Sequence, residues 1–396
     1  MSIGRIILVV IDGCGVGAMP DAADYGDAGT ATIPHTAQAA SGLNMPYAQR
    51  LGLGNIVAIE GVPQHDKPTG CYGKMAARSP GKDSTSGHWE ITGLILDQPF
   101  PTYPNGFPRE LVAEFERLSG VETIGNITAS GTEIIERFGP EHLKTGAIIL
   151  YTSADSVWQL AAHEGVYPLE RQYELCRIAR ELLSGEHAVG RVIARPFVGS
   201  PGSFERTTGR RDFSLTPFAD TILDLMNKNG LKVQAIGKTW DLLAKRGFQS
   251  HVKTVSNDEG MKGIIKFARD DRQHDMAFAN LVDFDMLWGH RRDENGFARA
   301  LEDFDQGLGS LLETMRDDDL VIITADHGCD PTFDRHTDHT REYVPLLVYG
   351  HGTAAGVNLG TRASFVDVAC TIAEIFGLKH KFGGASFLKQ ITGEQQ

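Results

Sequence analysis

Three apolar runs in this chain each lead into a carboxylate. Asp12 follows the run 6–11, Asp285 follows 277–282, and Asp326 with His327 follows 320–324. His290 stands shortly after Asp285, and His339 lies in Thr337-Asp338-His339-Thr340-Arg341-Glu342. Carboxylates and imidazoles without thiolates suit Mn, Mg, Zn or Fe better than an all-sulfur site. These residues suffice to hold two ions, and two ions about 3.5–4 Å apart can clamp the attacking and leaving oxygens of a phosphoryl displacement. Taken singly, each has a plainer reading. A lone Asp after a strand more often forms a turn or caps a helix, a lone His near apolar strands is more often a hydrogen-bonded core residue, and Asp-His-Gly alone is a weak tripeptide. Their joint occurrence after separate strands favours metal binding. His336 is a rival ligand, although Arg335 beside it points to a solvated loop tip.

A second chemistry-bearing segment reads Ser-Pro-Gly-Lys-Asp-Ser-Thr-Ser-Gly-His-Trp-Glu over 79–90. On composition alone its hydroxyls cap a helix beginning near Gly87. The functional reading is a hydroxyl nucleophile at a helix N-terminus, where free N–H groups favour an incoming phosphate and a metal ion can hold the alkoxide. Spacing does not choose among Ser84, Thr85 and Ser86.

The elements needed to position these groups are those of a doubly wound α/β core. Run 6–11 is continuous, apolar and β-branched, as in a strand buried on both faces of a parallel sheet. Runs 277–282, 320–324, 343–349 and 232–236 read as further strands, the last leading into Gly237-Lys238. Amphipathic stretches 218–227, 258–268 and 298–315 alternate with them. In such sheets ligands sit beyond the carboxyl ends of the strands, which would gather Asp12, Asp285 and Asp326 on one edge. Residues 101–217 have helices (108–118, 169–183) and short strands (148–151, 191–194) of their own between Pro-rich edges. They are expected to form an inserted α+β cap domain, leaving 1–100 and 218–396 as the metal-binding core. Segment 13–37 is rich in Gly, Asp and Ala and is expected to be irregular.

With 396 residues, 41% hydrophobic and 22% charged, the chain can bury a large core. A net charge of −13 argues against a nucleic-acid partner, though a few cations gathered in one pocket can still hold a small phosphate. Five scattered cysteines suggest neither a disulfide framework nor a zinc knuckle, and fit a reducing cytoplasm. Run 6–11 is too short for a signal peptide or a membrane span. A cytoplasmic enzyme with no membrane association is expected, and no obligate protein partner is indicated.

Longer motifs are more specific. They are Gly-Lys-Asp-Ser-Thr-Ser-Gly-His-Trp-Glu (81–90), Tyr-Thr-Ser-Ala-Asp-Ser-Val (151–157), Gly-Arg-Val-Ile-Ala-Arg-Pro-Phe (190–197), Asn-Leu-Val-Asp-Phe-Asp (280–285) with Gly-His-Arg-Arg-Asp (289–293), and Thr-Ala-Asp-His-Gly-Cys-Asp-Pro-Thr (324–332) with 337–342. Through them the chain resembles, nearly end to end, the bacterial phosphopentomutases of the alkaline phosphatase superfamily. The resemblance implies an alkaline-phosphatase-like core and a pair of divalent ions, typically manganese. Asp285, His290 and His339 would hold one; Asp12, Asp326, His327 and the nucleophile oxygen would hold the other. The nucleophile would be the residue directly after Gly-Lys-Asp, here Ser84, where the family usually carries threonine; Thr85 is the fallback. The turn Asp12-Gly13 also departs from the family's Asp-Ser.

The resemblance further implies a substrate grip by Ser153, Asp155, Val157, Arg191, Ile193 and Arg206, with Lys238 from the core. Arginine offers phosphate a planar fork, and Asp155 could bind sugar hydroxyls or orient an arginine; without the motif, Arg191 and Arg206 would read as surface residues. The implied reaction interconverts pentose 1- and 5-phosphates, of ribose or 2-deoxyribose, and is primed by a sugar bisphosphate such as glucose 1,6-bisphosphate. A metal-dependent phosphatase or another phosphomutase of the superfamily is the rival reading.

Overall fold

The computed structural model describes residues 3–153 and 155–393, so Ala154 of the 151–157 motif lies outside it. In chain order the strands are β1 (Arg5–Ile11), β2 (Cys71–Met75), β3 (Thr123–Thr128), β4 (Ile148–Thr152), β5 (Val157–His163), β6 (Arg191–Val198) and β7 (Glu205–Arg206). They continue as β8 (Arg211–Ser214), β9 (Val233–Ile236), β10 (Ser250–Val252), β11 (Met276–Leu281), β12 (Asp319–Thr324), β13 (Val344–Tyr349) and β14 (Asn358–Arg362). The chain divides into two compact units, with breaks at Pro99/Phe100 and Thr216/Pro217.

The first unit is built on an eight-stranded sheet of order β10-β9-β11-β1-β12-β13-β2-β14. The apolar run 6–11 is its centre. β1 pairs in parallel with both β11 and β12, and each of its residues is buried, as the unbroken β-branched pattern requires. Its first residue is polar for a reason. Buried Arg5 holds Asp319 of β12 at 2.7 Å through two nitrogens and donates to the Phe267, Ala268 and Asp271 carbonyls, fastening helix Asn257–Asp270 beneath the sheet. That helix packs with Glu294–Thr314, which also meets Thr32–Ala39 and Pro46–Leu51; helices Ser84–Ile91, Ile222–Lys228, Thr239–Leu242 and Val366–Ile375 form a second packed group. The sheet is mixed rather than wholly parallel, because β13 runs antiparallel to β12 and β2.

Two local expectations are corrected. Segment 13–37 is not irregular throughout: it contains the short turn Ala22–Tyr25 and enters helix Thr32–Ala39. The helix after Gly-Lys-Asp begins at Ser84 rather than near Gly87, because the cap is the Asp83 carboxylate, which accepts from Ser86 N at 3.0 Å.

The second unit has its own sheet, β3-β4-β5-β6-β7, with β8 paired to β6. Side chains alternate between its faces, as strand geometry demands. Ile148, Leu150, Trp158 and Leu160 pack with Phe115 and Leu175 on one face. Ile149, Tyr151 and Ala161 pack with Ile134 and Ile135 of helix Gly131–Thr145 on the other. Among the described residues no helix is long and apolar enough to cross a membrane.

Candidate metal centre

Four adjacent parallel strands, β9, β11, β1 and β12, end along one edge of the first unit's sheet. Lys238 follows β9, Asp285 follows β11, Asp12 follows β1, and Asp326 and His327 follow β12. Register makes this concrete, since Ile11 lies opposite Leu281 and Val10 opposite Thr324. Gly13 turns the chain away after Asp12 with φ 74°, and a Cβ there would stand 3.0 Å from the Cβ atoms of Asp285 and Cys329. Asp285 sits in a single π turn, Phe284–Trp288, a geometry that recurs at functional sites.

Two groups of ligand atoms result. Asp12, Asp326 and His327 form one, and Asp285, His327 and His339 the other; in each the candidate ligand atoms lie within 4.8 Å of one another, all on buried residues. The His327 and His339 rings stack with centroids 3.8 Å apart, so the two groups adjoin. His290 lies beside the second group, its Nε2 3.6 Å from Asp285 Oδ2 and its ring 4.8 Å from that of His339. Its Nδ1 is 2.6 Å from the Thr337 carbonyl, which fixes the ring. His336 is drawn elsewhere, with Nε2 2.8 Å from Asp27 Oδ1.

Ser84 opens its helix beside these groups. Its Oγ lies 3.2 Å from His327 Nε2 and 3.1 Å from Lys238 Nζ, which is also 3.1 Å from Asp12 Oδ2. Thr85 is buried, and Ser86 Oγ is engaged with Asp83 at 2.7 Å. Lys82 of the same motif reaches both oxygens of buried Asp27 at 3.0 Å, while Arg341 N donates to Asp27 Oδ2 at 2.8 Å. The loop carrying the nucleophile candidate is thereby tied to the loop carrying His339.

The electrostatics call for a cation. Burial pushes the Asp12 carboxyl up to about 7, and the neighbouring Asp285 and Asp326 carboxylates push the same way against Lys238 and His88. Burial would raise Asp326 as well, but His327 and His88 outweigh it and hold that carboxyl below the usual range. Burial lowers His327 to about 4 in spite of Asp326, leaving a neutral ring with a lone pair to offer. Asp12 Oδ1 accepts no hydrogen bond, and Asp326 Oδ2 accepts none of good geometry although His88 Nδ1 stands 3.2 Å away; His327 Nε2 stands 3.4 and 3.3 Å from the two oxygens. Buried carboxylate oxygens short of well-placed donors, facing a neutral imidazole nitrogen, fit a divalent cation.

The residues expected to grip substrate, apart from Lys238, belong to the second unit. There Arg191 Nη2 lies 3.2 Å from Asp155 Oδ2 and its Nη1 3.6 Å from Asp212 Oδ2. Val157 and Arg191 are register partners on β5 and β6, Ile193 lies one pleat further along, and Arg206 is exposed on β7. Ser153 precedes Ala154 at the end of β4.

Fold and ligand groups together define a metalloenzyme, and the Metalloenzyme superfamily profile matches residues 4–380. The core is alkaline-phosphatase-like. Among solved structures, the PH0037 protein from Pyrococcus horikoshii shares this fold, with a TM-score of 0.50 at 17% identity over 97% of this chain and 100% of that one. Within that class the chain belongs to the phosphopentomutase family. It is 54% identical over 387 residues to the phosphopentomutase of Caldanaerobacter subterraneus subsp. tengcongensis, covering 98% of each chain. It is 53% identical over 390 residues to that of Clostridium novyi, covering 98% of this chain and 100% of the relative.

Some residues around the site gave little signal in sequence. Asn280 sits inside an apolar strand, where it reads as a defect rather than a partner of Asp12. Glu342 is buried and accepts from Thr32 N at 2.9 Å, Thr32 Oγ1 at 2.8 Å and Thr340 Oγ1 at 2.7 Å, contacts between segments that nothing local announces.

Proposed function

We propose that this chain interconverts ribose 1-phosphate, or its 2-deoxy analogue, with the 5-phosphate through a phosphorylated Ser84. The observation that carries this reading is Ser84 Oγ, 3.2 Å from His327 Nε2 and 3.1 Å from Lys238 Nζ, beside two groups of buried metal-ligating side chains. Two divalent ions, manganese on the family resemblance, fit those groups. Asp12, Asp326 and His327 would hold one, and Asp285, His290 and His339 the other. When bound, the ions supply positive charge to the oxygens of the transferring phosphoryl group.

The remaining work falls to the chain itself. Ser84 presents its hydroxyl at the start of a helix whose preceding loop is braced by Lys82 and Asp27. Lys238 Nζ faces the same oxygen and counters the charge that gathers there as the phosphoryl group moves. In the forward half, the O–P bond of phosphoserine breaks as a sugar hydroxyl forms its own O–P bond, and the proton that hydroxyl loses is balanced by the one that restores the Ser84 hydroxyl. The resulting bisphosphate returns its other phosphate to Ser84, so no phosphate is lost. A sugar bisphosphate such as glucose 1,6-bisphosphate would supply the first phosphoryl group. Residues 101–217 would act as a cap that keeps water from the phosphoserine, with Ser153, Asp155, Val157, Arg191, Ile193 and Arg206 gripping the sugar phosphate. The enzyme would work on small pentose phosphates in the cytoplasm.

The test is purified protein with Mn²⁺, a trace of glucose 1,6-bisphosphate and ribose 1-phosphate, following ribose 5-phosphate against free phosphate. Ribose 5-phosphate is the expected product. Inorganic phosphate as the main product would replace the mutase reading with that of a phosphatase.

A further inference from the structure

The Gly-His-Trp-Glu part of the nucleophile motif has no place in the reaction described above, yet its histidine touches the metal centre. His88 is fully buried in helix Ser84–Ile91. Its Nδ1 lies 2.8 Å from the carbonyl oxygen of Ser84 and 3.2 Å from Asp326 Oδ2. Its Nε2 lies 3.2 Å from Nδ2 of Asn280. Asn280, buried in β11, donates from the same Nδ2 to Asp12 Oδ2 at 3.1 Å. A carbonyl can only accept, so the ring proton belongs on Nδ1 and Nε2 accepts from the asparagine. The amide orientation follows too, because turning it over would set Oδ1 against a carboxylate and a ring lone pair. One buried connection therefore runs from Asp12 through Asn280 and His88 to Asp326 and to the backbone of Ser84.

On Asp12 this connection decides which oxygen remains free, and on Asp326 it touches the oxygen that faces His327. On Asp12, Asn280 and Lys238 occupy Oδ2, leaving Oδ1 facing His327 Nε2 at 3.4 Å. On Asp326, Gly13 N occupies Oδ1 at 3.2 Å, and Oδ2 lies between His88 Nδ1 at 3.2 Å and the same Nε2 at 3.3 Å. Folding alone gives little reason for an asparagine here. Asn280 Oδ1 is buried with no hydrogen-bond partner, a cost that an apolar strand residue would avoid.

We infer that His88 and Asn280 are a positioning pair that holds Asp12, Asp326 and Ser84 in fixed relation and so raises the affinity of the Asp12–Asp326–His327 group for a divalent cation. Neither side chain touches the reacting atoms. The inference rests on reading that group as the ligands of one ion, and the experiment separates the two.

Isothermal titration of the metal-free full chain with Mn²⁺ alone measures it, beside the thermal melting of the same metal-free samples. The native chain is expected to show two binding events. Asn280→Leu and His88→Leu are expected to weaken one event by about 10–100-fold, the usual effect of losing an outer-shell partner, while sparing the other and the metal-free melting temperature. His88→Asn, which keeps a side-chain N–H close to the position of Nδ1, should recover part of the loss. Should Asn280→Leu not fold, Asn280→Ser, too short to span both partners, should show the same selective weakening. Unchanged Mn²⁺ affinity in the variants would overturn the inference while sparing the metal-site reading. So would equal weakening of both events with a fall in metal-free melting temperature, which marks a general structural role. A native chain that binds no Mn²⁺ would overturn both.

Discussion

Ser84 and Thr85 are neighbours whose hydroxyls meet different surroundings. Ser84 Oγ faces Lys238 and His327, whereas Thr85 is buried in the helix that Ser84 opens. Ser84→Ala is therefore expected to lower turnover by about 10⁴-fold or more, as loss of a covalent nucleophile does. Thr85→Ala should remain active, and Ser84→Thr, which retains the hydroxyl, should keep measurable activity. Transfer of labelled phosphate from glucose 1,6-bisphosphate to the protein checks all three; incorporation that survives Ser84→Ala and is lost in Thr85→Ala would move the nucleophile by one residue. At this scale the charged groups were legible because each follows a strand with an unmistakable apolar pattern. Asn280 was not, since a polar residue within such a strand takes its meaning from Asp12 and His88, residues distant in the chain. The rival His336 could be set aside only once its contact with Asp27 was known.

Among the elements, helix Ser84–Ile91 is fixed at both ends by carboxylates. Asp83 caps it, and near its other end buried Glu90 accepts from Ser79 N at 2.7 Å, Arg78 N at 2.8 Å, Ser364 Oγ at 2.7 Å and Phe365 N at 3.1 Å. Removing that acceptor strands several donors, each worth about 1–3 kcal/mol when buried and unpaired. Glu90→Ala is thus expected to cost on the order of 3 kcal/mol or more in urea unfolding while leaving Mn²⁺ affinity little changed, because Glu90 belongs to neither ligand group. A loss confined to metal binding would contradict the structural role. The hydroxyl run suggested a cap but set the helix start too late, because the capping side chain is the aspartate before the run. Helix Thr32–Ala39 was hidden for a different reason. Its first turn is held by the distant Glu342 rather than by a local capping pattern, so tertiary contacts override weak propensity. The central strands were readable as continuous apolar runs. Short peripheral ones such as β2, with its glycine and lysine, and β14, exposed along much of its length, carry no such pattern.

For the molecule as a whole, the ligand groups exist only in the folded chain, because sheet order brings together the segments near residues 12, 285 and 326, and loop contacts add the one near 339. Anything that binds them binds the native state preferentially. Chelator-stripped protein should accordingly melt lower than protein with Mn²⁺, which at a hundred times its Kd adds about 2.7 kcal/mol; an unchanged melting temperature would mean that these groups do not hold the ion. Acid should act on the second unit through a different residue. Burial would raise the Asp212 carboxyl, but Arg210, which also hydrogen-bonds it at 2.9 Å, together with Arg191 and Arg195, holds it below the usual carboxylate range. A carboxyl depressed in the folded state stabilises that state above its ordinary value near 3.8, and this contribution is lost as pH falls below that value toward the folded-state value. Asp212→Asn should therefore melt below the native protein at neutral pH, where it removes the negative charge that faces Arg210, Arg191 and Arg195, and the gap between the two should narrow as pH is lowered from about 5 to 3. Thermal melts across that range read the effect directly, and a gap that stays constant would show that the carboxylate charge contributes nothing to holding the second unit together.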